Sequence, residues 1–198
     1  MIVIGLTGLS GSGKGVVASI LKKCGAFVFD CDEIAHSNMA KGGCAYADIV
    51  EYFGEDILNT EKEIDRKKLG DIVFSHKEKL KKLNALTHGR VYEYIQQKLP
   101  LLKEDIAVID APLLLDSGLY RICDKIWVVK ADEDVRKKRI AERDGISQER
   151  IEKRFKNQKS FPFEKADFII DNTSKTMEEL EREIKEAASK YERDQIFI

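Results

Sequence analysis

The sequence predicts an α/β fold with a parallel sheet of five strands flanked by helices, and three observations carry that prediction. Short β-branched, apolar runs recur along the chain, helical stretches separate them, and the runs lack the strict alternation of a sheet with one wet face. The clearest runs are residues 2–6, 106–109 and 126–129, with shorter ones at 27–29 and 168–170.

Residues 16–23 form a helical stretch after the first strand, 134–142 after the fourth and 177–191 after the last. In the last of these, Met177, Leu180, Ile184, Ala187 and Tyr191 recur at helical spacing and predict a core-facing stripe. Residues 33–105 break the alternation. They hold helical patterns such as 77–99, with Leu80, Leu83, Leu86, Val91, Ile95 and Leu99, but no convincing strand. The interval is too long for an ordinary crossover and predicts a helical insertion, a natural place for a second substrate.

The 198 residues carry 34 Lys and Arg against 35 Asp and Glu, a formal net charge of -1. That balance argues against a protein that coats nucleic acid or anionic membrane. With 43% hydrophobic and 35% charged residues the chain reads as globular, one domain over 1–198 with the insertion inside it. It shows no apolar run of spanning length and no signal-like leader, so the expected location is the cytoplasm. Cys24, Cys31, Cys44 and Cys123 have no CxxC pairing and are expected to be reduced, mostly buried thiols. His36, His76 and His88 lack metal-ligand spacing, which argues against metal-dependent hydrolysis.

The strongest chemical signal is Gly8-Leu-Ser-Gly11-Ser12-Gly13-Lys14-Gly15, which follows a strand and opens a helix at Val16. Glycines let such a loop fold tightly and aim its N–H groups inward, the helix N-terminus adds partial positive charge, and Lys14 reaches the terminal phosphates. The motif ends in Gly15 where Ser or Thr usually supplies a hydroxyl to Mg²⁺. A metal would therefore lean on water, phosphate oxygens and a carboxylate elsewhere, with Ser10 and Ser12 as nearby oxygens acting through water.

Two acids, Asp30 and Asp32, end the second strand at the carboxyl edge where doubly wound sheets bind ligands. They could activate an attacking hydroxyl or hold Mg²⁺; equally, Asp32 could simply cap a helix beginning at Glu33. Asp110 ends the third strand and is a second metal candidate. Residues 136–159 hold ten Lys and Arg against four acids. Such a run is either a solvated helix face or a lid that closes over polyphosphate, with Arg139 and Arg143 four apart on one side.

Several ordered motifs then coincide. Ile4-Gly-Leu-Thr-Gly8 leads into the loop and Val28-Phe-Asp30-Cys-Asp32 follows; next come Ile64-Asp65-Arg66-Lys-Lys-Leu69 with Val73-Phe74, and Leu83-Asn-Ala-Leu-Thr87-His88. Later stand Ile109-Asp-Ala-Pro112-Leu-Leu-Leu-Asp116-Ser-Gly118-Leu119, then Arg139, Arg143-Asp144-Gly and Gln158, and Ala166-Asp167-Phe-Ile-Ile-Asp171-Asn172. From residue 2 to about residue 172 the chain resembles the dephospho-CoA kinase family.

The resemblance implies a P-loop kinase fold with a helical acceptor-domain insertion over 33–105 and a helical lid over 136–159. It implies ATP-dependent phosphorylation of the ribose 3′-hydroxyl of dephospho-CoA to coenzyme A, with ATP and Mg²⁺. It makes Asp32 the general base and a metal ligand with Asp110. Asp30, Arg66 and His88 then face the acceptor, Arg139 and Arg143 the phosphates, and Asn172 the adenine. Partners are small molecules only, with no nucleic acid or membrane, and the chain is a monomer or weak homo-oligomer. Three positions depart from the family pattern: Gly15, Gly89 in place of proline, and Asp116 in place of glutamate. Gly15 carries the alternative reading, a nucleotide-binding regulator or a slow kinase on another small alcohol.

Overall fold

A computed structural model of the chain describes residues 1–156 and 163–191. In chain order its helices and strands are β1 (Ile2–Gly8), α1 (Lys14–Lys23), β2 (Phe27–Asp30), α2 (Cys31–Met39), α3 (Tyr46–Phe53), α4 (Arg66–Ser75) and α5 (Lys77–Lys98). There follow β3 (Ile106–Asp110), β4 (Lys125–Lys130), α6 (Glu133–Asp144), α7 (Gln148–Lys156), β5 (Phe168–Asp171) and α8 (Met177–Ser189). Gln158 and the last residues of the basic run lie outside the described residues. The chain divides into two compact units, one of Met1–Phe29 with Leu102–Ile198, the other Asp30–Leu101.

The first unit is built on a five-stranded parallel sheet of order β2-β3-β1-β4-β5. β1 is central: Ile2 stands beside Ile106 and Leu6 beside Asp110 on one side, while Ile4 stands beside Lys125 and Gly8 beside Val129 on the other. Both neighbours are parallel, so the carboxyl ends of β1, β3 and β4 share one edge. β1 and β3 are buried along most of their length, as their unbroken apolar runs require.

On one face Val17, Ile20 and Leu21 of α1 and Leu180, Ile184 and Ala188 of α8 close over Ile4, Leu6, Val108 and Trp127. Burying each large aliphatic side chain is worth about 1.5–3 kcal/mol, which is what holds two polar-backed helices on the sheet. The Trp127 and Phe168 rings meet edge to face at 4.9 Å across β4 and β5. α8 starts with a reciprocal cap: Thr176 Oγ1 accepts from the Glu179 N–H at 3.2 Å, and the Glu179 carboxylate accepts from the Thr176 N–H at 2.9 Å. The stripe begins after that turn, at Leu180, since Met177 is 52% exposed.

The second unit is helical apart from one isolated antiparallel bridge between Leu58 and Ile64. Its core is Ala45, Ile49, Ile57, Leu58, Leu69 and Val73, with Leu80, Leu83 and Leu86 of α5 packed against it. Asp65 caps α4, its carboxylate accepting from the N–H groups of Lys67 and Lys68. Arg90 of α5 pairs with Asp48 of α3 at 3.2 Å.

None of the four cysteines is in a disulfide. Cys31 is buried and Cys24 and Cys123 half-buried, but Cys44 is exposed, a departure from the mostly buried set the sequence suggests. Burial, with Asp124 adding to it, pushes the Cys123 thiol up to about 12.

The core assignment sets a first expectation. Ile184→Ala should lower unfolding free energy by about 2–5 kcal/mol in a urea melt, and Met177→Ala by no more than about 0.5 kcal/mol. A second concerns the sheet edge, where Asp171 stands beside Lys130 in register. The Lys130 ammonium at 2.9 Å, then the Thr173 hydroxyl, draw the Asp171 carboxyl from 3.8 down to about 2. A carboxylate lowered in the folded state contributes stability above its unfolded pKa and loses it on acidification through the folded one. Asp171→Asn should therefore flatten the fall of Tm between about pH 4 and pH 2 and leave Tm at pH 7 to 8 with a small, salt-sensitive loss, because both partners are half-exposed.

Candidate active site

Gly8, the last residue of β1, lies so close to β4 that a Cβ there would sit 2.5 Å from the Val129 carbonyl oxygen. The chain then turns through Gly11 and Gly13, at φ 81° and 97°, a left-handed backbone that favours glycine. The Ser12 N–H donates to the Leu9 carbonyl at 3.1 Å and closes the turn. α1 begins at Lys14 with no side-chain cap, so the open N–H groups of its first turn face an incoming anion.

Two carbonyls of this loop are held from outside. Arg136 Nε donates to the Ser10 oxygen at 3.0 Å. Asn172 Nδ2 donates to the Ser12 oxygen at 2.9 Å, and Arg139 Nη1 reaches the same oxygen at 3.4 Å. A planar trans peptide points its N–H opposite to its carbonyl. Fixing those two oxygens therefore turns the N–H groups of Gly11 and Gly13 to the other side, into the loop, where a phosphate would meet donors and not carbonyl dipoles.

Lys14 forms an ion pair with Asp110, the last residue of β3, which is 6% exposed. The pair satisfies a carboxylate that burial would otherwise make expensive. It also puts one carboxylate and one ammonium at the edge where β1 and β3 end. Ser12 Oγ is buried under the loop without a hydrogen-bond partner among the described residues. Gly15 is exposed, and a Cβ built there meets nothing within 4 Å.

The basic segment folds as α6 and α7, and its arginines part company. Arg139 spans the Ser12 and Asn172 carbonyl oxygens, the second at 2.9 Å. Arg143, four residues on, grips Asp144 through Nε at 2.6 Å and Nη2 at 3.0 Å, and Arg154 joins the same carboxylate at 2.9 Å. The structure thus brings Arg139 to the loop and leaves Arg143 on a neighbouring carboxylate. Arg136, which the sequence suggested only as the start of a basic run, is 7% exposed and part of the loop's support. Its spacing from Arg139, three residues on one helix, was the available signal.

Asn172 is buried after β5, its amide committed to the loop; a Cβ on Gly13 would collide with it. Asp171 accepts from the Thr173 N–H and hydroxyl, which fixes the turn that points Asn172 inward. Asn172 is thus tied to the loop through the Ser12 carbonyl, beside the position that the sequence assigns to the nucleotide.

Asp30, Asp32, Arg66 and His88 all belong to the helical unit. The cap of α2 is Asp30: its carboxylate accepts from the N–H groups of Asp32 and Glu33, both at 3.0 Å. The helix begins at Cys31, two residues earlier than a cap at Asp32 would give, so the exposed Asp32 carboxylate is left to other work. Arg66 opens α4 and is exposed, and His88 is half-buried on α5.

Asp32 and Asp110, the carboxylates considered for metal, stand in different units, and no group of three potential metal-ligating side chains occurs among the described residues. That donor set does not make a closed protein cage. It fits Mg²⁺, which keeps its waters and takes phosphate oxygens and one or two carboxylates, better than a structural metal. No helix among the described residues is long and apolar enough to cross a membrane.

Comparison with known proteins agrees with this arrangement. The sequence profile described as dephospho-CoA kinase matches residues 2–178. The chain is 42% identical over 196 residues to the dephospho-CoA kinase of Aquifex aeolicus, covering 96% of this chain and 98% of that protein. It is 40% identical over 176 residues to that of Fusobacterium nucleatum, covering 88% and 91%. Among solved structures, the dephospho-CoA kinase from Campylobacter jejuni superposes with TM-score 0.69 at 30% identity, covering 95% of this chain and 96% of that one. A shikimate kinase from Bacteroides thetaiotaomicron, at 15% identity and TM-score 0.54 over 95% and 96% of the chains, shares the fold. With a phosphate loop at the end of its central strand and a family match that runs over residues 2–178, this protein is a phosphotransferase that belongs to the dephospho-CoA kinase family.

Proposed function

We propose that this site transfers the γ-phosphoryl group of ATP to the ribose 3′-hydroxyl of dephospho-CoA, with Asp32 as the general base. The reaction is the last step of coenzyme A biosynthesis, and membership of the family supports it. The observation that carries the chemistry is the loop with its two outward-held carbonyls, a concave set of donors suited to polyphosphate. In the transfer the 3′ oxygen bonds to the γ-phosphorus, the bond to the ADP oxygen breaks, and the hydroxyl proton passes to Asp32.

The work is mostly positioning and electrostatics. Lys14 and the N–H groups of Gly11, Gly13, Lys14 and Gly15 hold the β- and γ-phosphates, while Gly8 and Ser12 shape the loop and Val16, whose N–H donates to the Gly13 carbonyl at 2.9 Å, fixes the start of α1. Arg139 adds a guanidinium beside them. Arg143 would exchange Asp144 for a phosphate oxygen. On the helical unit, Asp30 sets the start of α2 and so the place of Asp32, and Arg66 and His88 face the acceptor. Asp110 and Asp32 are the carboxylates that would hold Mg²⁺, and the ion would supply positive charge against the phosphates.

The same reading takes the protein as a cytoplasmic enzyme of small molecules, monomeric or weakly self-associating, without a nucleic-acid partner; its support is the near balance of charge. The regulator and other-alcohol readings rest on Gly15 alone, and the comparisons do not favour them.

ADP release from Mg·ATP should depend on dephospho-CoA, and the acceptor should gain one phosphate by mass; release without that gain would overturn the assignment. Asp32→Asn should lower kcat by roughly 10²–10⁴, far more than it weakens ATP binding, so lost affinity with retained turnover would remove Asp32 as the base. Gly15→Ser, entering open space, should lower the Mg²⁺ concentration at which ATP binding is half-maximal in calorimetry. An unchanged Mg²⁺ dependence would mean that residue 15 takes no part in holding the metal.

A further inference from the structure

Arg136 belongs to no motif of the family resemblance, yet it is among the most deeply placed charges of the first unit. Its guanidinium sits 4.5 Å from the centroid of the Phe155 ring on α7, and its Nε holds the Ser10 carbonyl at 3.0 Å. Its own backbone is pressed against the loop: a Cβ on Gly11 would lie 2.6 Å from the Arg136 carbonyl oxygen. Lys137, next in line, also approaches the Phe155 ring, at 5.5 Å, and is anchored by Glu133 at 2.6 Å.

The consequence follows from peptide geometry. The Ser10 carbonyl and the Gly11 N–H belong to one planar unit, so whatever orients the first orients the second. The turn closed by the Ser12 N–H tolerates either orientation of its middle peptide, and at φ 81° Gly11 has no side chain to choose between them, so a contact from outside the loop can decide it. Arg136 is the side chain that makes that contact. A planar guanidinium suits the task because one edge donates to the carbonyl while its face lies on an aromatic ring; a lysine does only the first of these as well.

We propose that Arg136 is a positioning residue for the phosphate donor: it aims the Gly11 N–H at the phosphates through the Ser10 carbonyl, and Phe155 makes that aim depend on the seating of α7. The inference rests on the reading of the loop as the ATP site. The basic helix and the phosphate loop thereby act as one mechanical element, with the ring of Phe155 as the joint.

The test compares Arg136→Met, Arg136→Lys and Phe155→Leu with the parent protein, by calorimetric titration of Mg·ATP and by steady-state kinetics against dephospho-CoA. Arg136→Met should weaken ATP binding about tenfold, about 1.4 kcal/mol, and leave the KM for dephospho-CoA within about twofold. Arg136→Lys should recover part of the loss. Phe155→Leu, with Arg136 intact, should weaken ATP about threefold. Should Arg136→Met fail to fold, the lysine and Phe155 variants carry the test alone.

Unchanged ATP affinity in the Arg136 variants, or equal weakening toward both substrates, would overturn the positioning role. Unchanged affinity in Phe155→Leu would overturn the link to α7. Parent protein that binds ATP but does not phosphorylate dephospho-CoA would overturn the functional reading instead, while an Arg136 effect on ATP affinity would still stand.

Discussion

A phosphate loop works only if its carbonyl dipoles point away from the anion, and much of the first unit serves that requirement. The loop itself has little means of meeting it, being short and rich in glycine, with no hydrogen-bond partner for the Ser12 hydroxyl among the described residues. The orientation is imposed by Arg136 and Arg139 from α6 and by Asn172 after β5, elements more than a hundred residues away in sequence. Two of those side chains are in turn fixed by their neighbours, Arg136 by Phe155 and Asn172 by the turn that Asp171 and Thr173 close.

The sheet makes this possible because parallel strands finish on one edge. Leu6 and Asp110 share a register position, so the end of β3 delivers a carboxylate beside the lysine that opens α1. Gly8 and Val129 share another, and the close approach there excludes any side chain on residue 8. The apolar core of α1 and α8 against β1 keeps the edge rigid, and a rigid edge is what makes fixed dipoles effective: they need no reorganisation when the charged ligand arrives.

The strands and the helices α1, α5, α6 and α8 were legible because their signals are local and periodic. Runs of β-branched residues, the glycine spacing of the loop and the three-and-four spacing of Leu180, Ile184 and Ala187 all act within one or two turns of chain. The parts that were not legible depend on distant contacts. Arg136 and Arg143 have the same chemistry in the sequence, but one is buried beneath Ser10 and the other is held by the acid beside it. The hydrogen bond from the Asn172 amide to the Ser12 carbonyl could not be read from the sequence, because only the fold brings the two together. The helix cap shifted from Asp32 to Asp30 because an Asx side chain accepts from N–H groups two and three residues on, and both positions satisfy that spacing on paper.

Gly15 shows how far such reasoning can be carried at one residue. Its φ is not in the left-handed range, so the backbone does not demand glycine. No atom lies within 4 Å of a Cβ built there, so packing does not demand it either. In the first turn of α1 a glycine lowers helix stability relative to alanine by up to about 1 kcal/mol, so helix formation gains nothing from it. What remains is the hydroxyl that the position forgoes. With Asp110 paired to Lys14, a metal bound beside Gly15 would lean more on water and phosphate oxygens than one beside a hydroxyl, and the phosphates in turn on the loop orientation that the surrounding arginines and Asn172 maintain.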